Sequence, residues 1–253
     1  MLKNYIKTAW RSLLKHPRTT AINIFGLTIG MAAAVLITLW VQNELSYDNY
    51  HPDGDRIYRI KANVAISKTE TWVWETSQYI LGEFAKKDLP EIENLTRSEG
   101  GAPIFRYNGE STAEDKAAYV DGQWFNFFHY NFIEGNAAAF QSDPFGMIMT
   151  ESTAKRYFGN GEAIGKVIQI DTLTYQVRGV VKDNPANSSF QFSAIMSIAS
   201  QMNDKRFTDN SITSWGNYNF RTFVKLKPGT STAQLAVKLD TLLKKNQPKT
   251  NAS

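Results

Sequence analysis

Between Thr19 and Asn43 no side chain carries a charge, and this stretch constrains the chain more than any other feature. Its apolar heart, Ala21–Val41, is 21 residues long, or about 31 Å as a helix at ~1.5 Å per residue. The hydrocarbon core of a bilayer is about 30 Å thick. A transmembrane helix over 19–43 is therefore expected, with Asn23, its one strongly polar interior residue, near an end. A cleaved leader would have a shorter apolar run closed by a small-residue cleavage site. Here the run ends in Leu39-Trp40-Val41-Gln42-Asn43-Glu44, so it reads as an anchor that stays.

Charge sets the orientation. Lys3, Lys7, Arg11, Lys15 and Arg18 precede the span without an acidic residue, whereas Glu44, Asp48, Asp53 and Asp55 follow it before the first cation, Arg56. Lys and Arg are retained on the cytoplasmic side, which places the N-terminus inside and the following domain, 46–253, outside. Setting those five cations aside leaves 23 Lys/Arg against 24 Asp/Glu. The pI near 9 thus belongs to the anchor, and nucleic-acid binding, which needs a basic patch on the folded domain, is not expected. The chain has no cysteine, so disulfides and thiolate metal sites are excluded.

Before the span, Leu2, Tyr5, Ile6, Ala9, Trp10, Leu13 and Leu14 recur at helical spacing, while Lys3, Lys7, Arg11 and Lys15 step along another face. Residues 1–17 read as a basic amphipathic helix at the membrane interface, held by Lys3, Lys7, Trp10, Arg11 and Lys15. His16-Pro17 ends it, because a residue before proline is driven out of the helical region. Inside the span, Gly26, Gly30 and Ala34 form a stripe of small residues every fourth position. Such stripes let membrane helices pack closely, so further membrane helices are expected as partners.

The remaining residues read as α+β. Strands are expected over Ile57–Ile66, within Ile92–Tyr107, and over Ala117–Asp121, Met147–Thr150, Val167–Ile170, Tyr175–Lys182 and Phe220–Leu226. Helices are expected over Trp74–Asp88, Glu151–Phe158 and Thr232–Lys245, the last with Leu235, Leu239, Leu242 and Leu243 as its apolar stripe. Trp124, Phe125, Phe127, Phe128, Tyr130 and Phe132 form an aromatic block that reads as core. Asp183–Ser189 is turn-forming, and Asn246–Ser253 reads as an unstructured tail.

Chemistry is sparse. The histidines, His16, His51 and His129, are not spaced as metal ligands. Gly159–Lys166 (GNGEAIGK) imitates a phosphate loop, but Asn160 stands where the first glycine belongs and Val167 where Ser or Thr should be. Glu91/Glu93 and Glu114/Asp115 read as solvated surface pairs. No catalytic residue, cofactor or metal site is expected, and the chain is not expected to be an enzyme.

Three stretches form an ordered set: RSLLKHPRTTAINIFGLTIGMAAA, ELSYDNYHPDGDRIYRI, and TESTAKRYFGNGEAIGKVIQI followed by YQVRGVVKDNPANSSFQFSAIMS. Together they resemble the N-terminal half-repeat of MacB/FtsX-like ABC transporter permeases, a first membrane helix plus a large periplasmic core domain. The resemblance implies a β-α-β porter-like layer with an inserted β-rich lobe, placed here at about 124–200. It implies a permease subunit in the bacterial inner membrane that transmits ATPase-driven motion to the periplasm for export or extrusion. Its partners would be a cytoplasmic ABC ATPase subunit, the remaining permease helices or a second permease half, a possible periplasmic adaptor, and the lipid bilayer. Such permeases return to the membrane with three more helices, so a sequence ending at Ser253 is expected to be a piece of a longer chain. Two other layouts share one span and an exported α+β domain. One is the extracytoplasmic input domain of a membrane receptor, which needs a ligand pocket. The other is a tethered enzyme, which needs a cleft with perturbed titratable groups.

Overall fold

A computed structural model describes residues 2–247, so most of the tail expected over Asn246–Ser253 lies outside the described residues. The chain divides into two compact units, 1–49 and 50–253.

In the first unit, α1 (Leu2–Lys15) and α2 (Pro17–Leu45) are separated by His16 alone. His16 takes φ −124° and ψ 63°, outside the helical region, as a residue before proline should. Pro17 then occupies the first turn of α2, where its missing N–H is no loss. The hydroxyl of Thr20 donates to the Leu13 carbonyl (2.9 Å), stitching the two helices at their joint. At 29 residues α2 is longer than the uncharged stretch, reaching past it to Pro17 and Leu45. The added ends carry Arg18 and Glu44, which belong with the headgroups. Thr28 and Thr38 return their hydroxyls to the carbonyls of Ile24 and Ala34, at 2.7 and 2.8 Å. Such internal bonds are what a hydroxyl needs in hydrocarbon.

The second unit is built on an eleven-stranded mixed sheet. Its strands are β1 (Ile57–Ile60), β4 (Ile92–Gly101), β5 (Ile104–Tyr107), β6 (Glu110–Ala113), β7 (Ala117–Val120), β8 (Phe132–Gly135), β9 (Gly146–Thr150), β10 (Val167–Ile170), β11 (Leu173–Val181), β12 (Ala194–Ser197) and β13 (Arg221–Leu226). They run in the order β1-β13-β4-β7-β12-β9-β11-β10-β5-β6, with β8 paired to β11. A separate hairpin joins β2 (Ala62–Ala65) to β3 (Thr71–Trp74). The helices are α3 (Tyr79–Asp88), α4 (Trp124–Phe127), α5 (Ala137–Gln141), α6 (Glu151–Phe158), α7 (Lys205–Phe207) and α8 (Thr232–Asn246).

The near half of the sheet comes from the two ends of the domain's sequence. Leu81 and Ala85 of α3 and Leu235 and Leu242 of α8 bury against Ile60, Ile92, Leu95, Val224 and Leu226 of β1, β4 and β13. Alternation on β13 sends Val224 and Leu226 to those helices and Phe223 to the aromatic cluster of Trp124, Phe127, Phe128, Phe190 and Phe192. The far half packs Phe105, Met147, Met149, Ile168, Tyr175, Val177 and Met196 into a further core. There β9 and β11 run parallel across the α6 crossover, as do β7 and β12. Hydrogen bonding is continuous between the halves, and the far half also takes in β5 and β6, which precede residue 124.

Several elements differ from their sequence expectation, and β3, β8, β12, α4, α5 and α7 have no counterpart in it. The strand expected over Ile57–Ile66 breaks at Lys61, because β1 pairs with β13 while β2 turns away to pair with β3. The helix expected from Trp74 begins only at Tyr79: Trp74 pairs with Ala62, and the Ser77 backbone bonds that of Phe220. Long-range pairing overrides the local helical pattern there. Strand β6 is likewise outside the expected set, although Asn108-Gly109 marks its hairpin. Both turn residues have positive φ, 50° and 85°, the requirement of a two-residue turn that suits Asn-Gly.

Candidate functional site

Three regions carry the features from which a function can be read. The first is the anchor. Among the described residues α2 is the one helix long and apolar enough to cross a membrane, and none of that apolar window is buried. Ile22, Phe25, Leu27, Ile29, Leu36 and Leu39 all face outward. Gly26, Gly30 and Ala34 share this exposed helix, and a Cβ added at Gly26 or Gly30 would meet no atom within 4 Å. On α1, Lys3, Lys7, Trp10, Arg11 and Lys15 are exposed, as are Tyr5, Ile6, Leu13 and Leu14 of the apolar face. The side chains of Leu2 and Ala9, also assigned to that face, lie outside the described residues.

The second region is the linker at the start of the domain, and sequence reading missed it. The Tyr50 hydroxyl donates to Ser188 Oγ (2.7 Å). His51 is buried with its ring 5.1 Å from Phe128 and 6.0 Å from Phe190 by centroids. Its Nδ1 accepts the backbone N–H of His129 at 3.1 Å. Two residues on, Asp53 sits in the left-handed region, φ 58°, and accepts from Lys225 (2.6 Å) and Arg56 (2.9 Å). Lys225 and Arg56 hold its carboxyl below the usual carboxylate range. Arg56 continues to Glu93 (2.7 Å) and to the Leu226 carbonyl (3.2 Å). Residues 50–56 are thus fastened first to the aromatic cluster and then to β4 and β13.

The third region is a pair of open polar clefts of about 410 and 540 Å³. Asp115, Lys116, Gln191 and Phe192 line both. Arg156 and Asp183 complete the smaller, and Asn219 and Arg221 the larger. Here the sequence reading is corrected: Glu114 is not solvated surface but only 4% exposed. It accepts from Tyr157 Oη (2.7 Å), Ser193 Oγ (3.0 Å) and the Arg156 guanidinium. Burial, followed by the Glu114 contact, pushes the Tyr157 hydroxyl up to about 12. Asp183 Oδ1 accepts both the N–H (3.1 Å) and the hydroxyl (2.8 Å) of Ser152 at the start of α6. That helix end is therefore already satisfied by a carboxylate. Neither Glu114 nor Asp183 could be recognised from local sequence, since their partners lie 31 to 79 residues away.

Away from these regions, Arg97 is 3% exposed and lies over the Tyr79 ring at 3.8 Å. It donates to Asp121 (3.0 Å), Glu83 (2.6 Å) and the Tyr79 carbonyl (3.2 Å). Burial raises the Asp121 carboxyl, against the pull of Arg97. Among the described residues no three His, Asp or Glu side chains come together as a metal site.

Comparison with known proteins gives the arrangement its context. The MacB-like periplasmic core domain family matches residues 20–242, taking in α2 from Thr20 onward and nearly all of the second unit. A domain of a putative permease protein from Porphyromonas gingivalis has a similar structure, with TM-score 0.64 and 21% identity over 78% of this chain and 84% of that one. The periplasmic region of MacB from Actinobacillus actinomycetemcomitans gives TM-score 0.55 and 16% identity over 76% and 84%. At such identities the likeness speaks for the fold alone, that of the sheet-rich α+β domain. No curated protein sequence matches significantly. The family match extends without interruption across span and domain, and the chain belongs to the MacB-like periplasmic core domain family, found in permease-type ABC transporter proteins.

Proposed function

We propose that this chain is part of an ABC transporter permease and transmits ATPase-driven motion across the inner membrane to the periplasm for export or extrusion. The observation that carries this reading is the single family match over 20–242, which joins the membrane helix to the domain beyond it. The charge asymmetry supports a cytoplasmic N-terminus: five cations precede the span and four acidic residues follow it before Arg56. In this arrangement α1 lies along the cytoplasmic surface, with Lys3, Lys7, Arg11 and Lys15 toward anionic lipid and Trp10 at headgroup depth. The stripe Gly26/Gly30/Ala34 packs against other permease helices.

The chain carries no ATPase chemistry of its own. A separate ATPase drives the membrane helices, the periplasmic domain receives the movement through residues 50–56, and a periplasmic adaptor is a further partner at its outer surface. The test is co-isolation. Tagged chain taken from host membranes in mild detergent should bring with it vanadate-sensitive ATP hydrolysis, and Gly30→Leu should lose it. Wild-type chain isolated without any nucleotide hydrolysis would contradict the reading. So would ATP turnover by the domain alone.

A further inference from the structure

The linker and the clefts meet at one segment. Residues 183–193 run from the end of β11 to the start of β12. On one side Ser188 Oγ receives the Tyr50 hydroxyl, and Phe190 stands beside the His51 ring. On the other side Asp183, Asn184, Gln191, Phe192 and Ser193 line the smaller cleft, while Ser189, Gln191 and Phe192 line the larger.

The segment is cross-braced by its own side chains. Ser188 Oγ donates to the Phe190 carbonyl (3.2 Å) and accepts the Phe190 N–H (3.1 Å). Gln191 Nε2 donates to the carbonyls of Pro185 (2.8 Å) and Ser188 (2.9 Å). Asn184 Nδ2 donates to the Phe192 carbonyl (2.7 Å). The Ser193 N–H then donates to the Lys116 carbonyl (2.8 Å), and the Ser193 hydroxyl to Glu114. A bonded path thus runs from Tyr50 through Ser188 and Gln191 to the opposite cleft wall at Glu114 and Lys116.

We propose that residues 183–193 are a relay that couples the linker leaving the membrane helix to the polar clefts. Displacement of Tyr50 and His51 shifts Ser188 and Phe190, and the braces carry that shift to Gln191, Phe192 and Ser193, changing the width of both clefts. The relay deepens the permease reading and rests on it for the source of the movement. Clefts far in sequence from the membrane helix thus answer to the two residues that anchor the linker.

The test is amide hydrogen exchange on the full chain in phosphatidylethanolamine/phosphatidylglycerol nanodiscs, comparing wild type with Tyr50→Phe and Ser188→Ala. Loss of one hydrogen bond should speed local exchange by about threefold to tenfold. The relay predicts that increase over 183–193, a smaller one at 114–117 across the clefts, and none in α8. Ser188→Ala should act at least as strongly, because it also removes the acceptor of the Phe190 N–H. Unchanged exchange at 114–117 in both variants would overturn the relay, and so would an equal rise in α8, which would mean global loosening. No nucleotide enters the measurement, so its failure would leave the permease reading to the co-isolation experiment.

Discussion

The two units use the same residue types in opposite ways. In α2, Phe25, Leu27, Leu36 and Trp40 point outward and none of the helix is buried within the structure. In the domain, Trp124, Phe105, Phe140 and Phe220 are sealed inside. The difference teaches that apolar placement reports the solvent. Water drives large side chains inward at roughly 25 cal/mol per Å², whereas hydrocarbon tails exert no such force and leave helix contacts to close packing of small residues. The domain's stability is therefore its own, and the anchor's depends on the bilayer and on neighbouring helices.

The sharpest way to break this comparison is a matched pair of truncations. Trp124→Ala should cost the domain about 3–5 kcal/mol, since its ring contacts Phe128, Phe190, Phe192 and Phe223. Phe25→Ala should leave the domain's thermal midpoint unchanged. Calorimetry of both variants in nanodiscs checks the pair, and a shift with Phe25→Ala would make the two units one cooperative body.

A smaller loss is expected at the buried ion pair. Asp121→Ala strands Arg97, and breaking such a pair costs about 3–5 kcal/mol. The lower end applies here, because Glu83 still reaches the guanidinium. Chemical denaturation would read the change. Gly82→Ala sets two effects against each other on α3. Alanine favours the helix by about 1 kcal/mol, but its Cβ would stand 2.6 Å from Arg97 Nη2, which donates to Glu83 and the Tyr79 carbonyl. Overpacking costs about 1–3 kcal/mol, so net destabilisation is expected, and a stabilised variant would show that Arg97 moves freely.

The smallest effect is electrostatic. Burial raises the Glu99 carboxyl, and a bond from Asn219 only partly opposes it. The folded domain therefore holds that proton more tightly than the unfolded chain. Stability falls as pH rises from the ordinary glutamate range through the raised value, and the loss persists above it. Glu99→Gln should match wild type at low pH and exceed it above this window. Parallel pH dependence of the two proteins would contradict the assignment.

What the sequence revealed follows from how local each signal is. The span needed only its uncharged run, and α6 is bounded by Thr150, whose hydroxyl accepts the Thr153 N–H, and by Gly159 with φ 68°. Both ends are legible in neighbouring residues, and the helix falls where periodicity put it. The aromatic block was recognisable as core from density alone. By contrast, the late start of α3 depends on Ser77 meeting Phe220, and the linker depends on Tyr50 meeting Ser188. Contacts across 138 residues leave no trace in a local pattern. The hairpin at Asn108-Gly109 is a different case, for its turn signal lies in two adjacent residues. The burial of Glu114 shows that a carboxylate beside Asp115 reads as surface until its partners are known.

The most direct test of the central claim, that helix and domain face different solvents with the membrane between N-terminus and domain, uses the absence of cysteine from the chain. Single cysteines at Thr8, on α1, and at Ser67, on the turn between β2 and β3, would be challenged with a membrane-impermeant maleimide in cells whose outer membrane is permeabilised. Labelling of Ser67→Cys at once, and of Thr8→Cys only after lysis, is the predicted result. Labelling of Thr8→Cys in unlysed cells, with Ser67→Cys protected, would contradict the account.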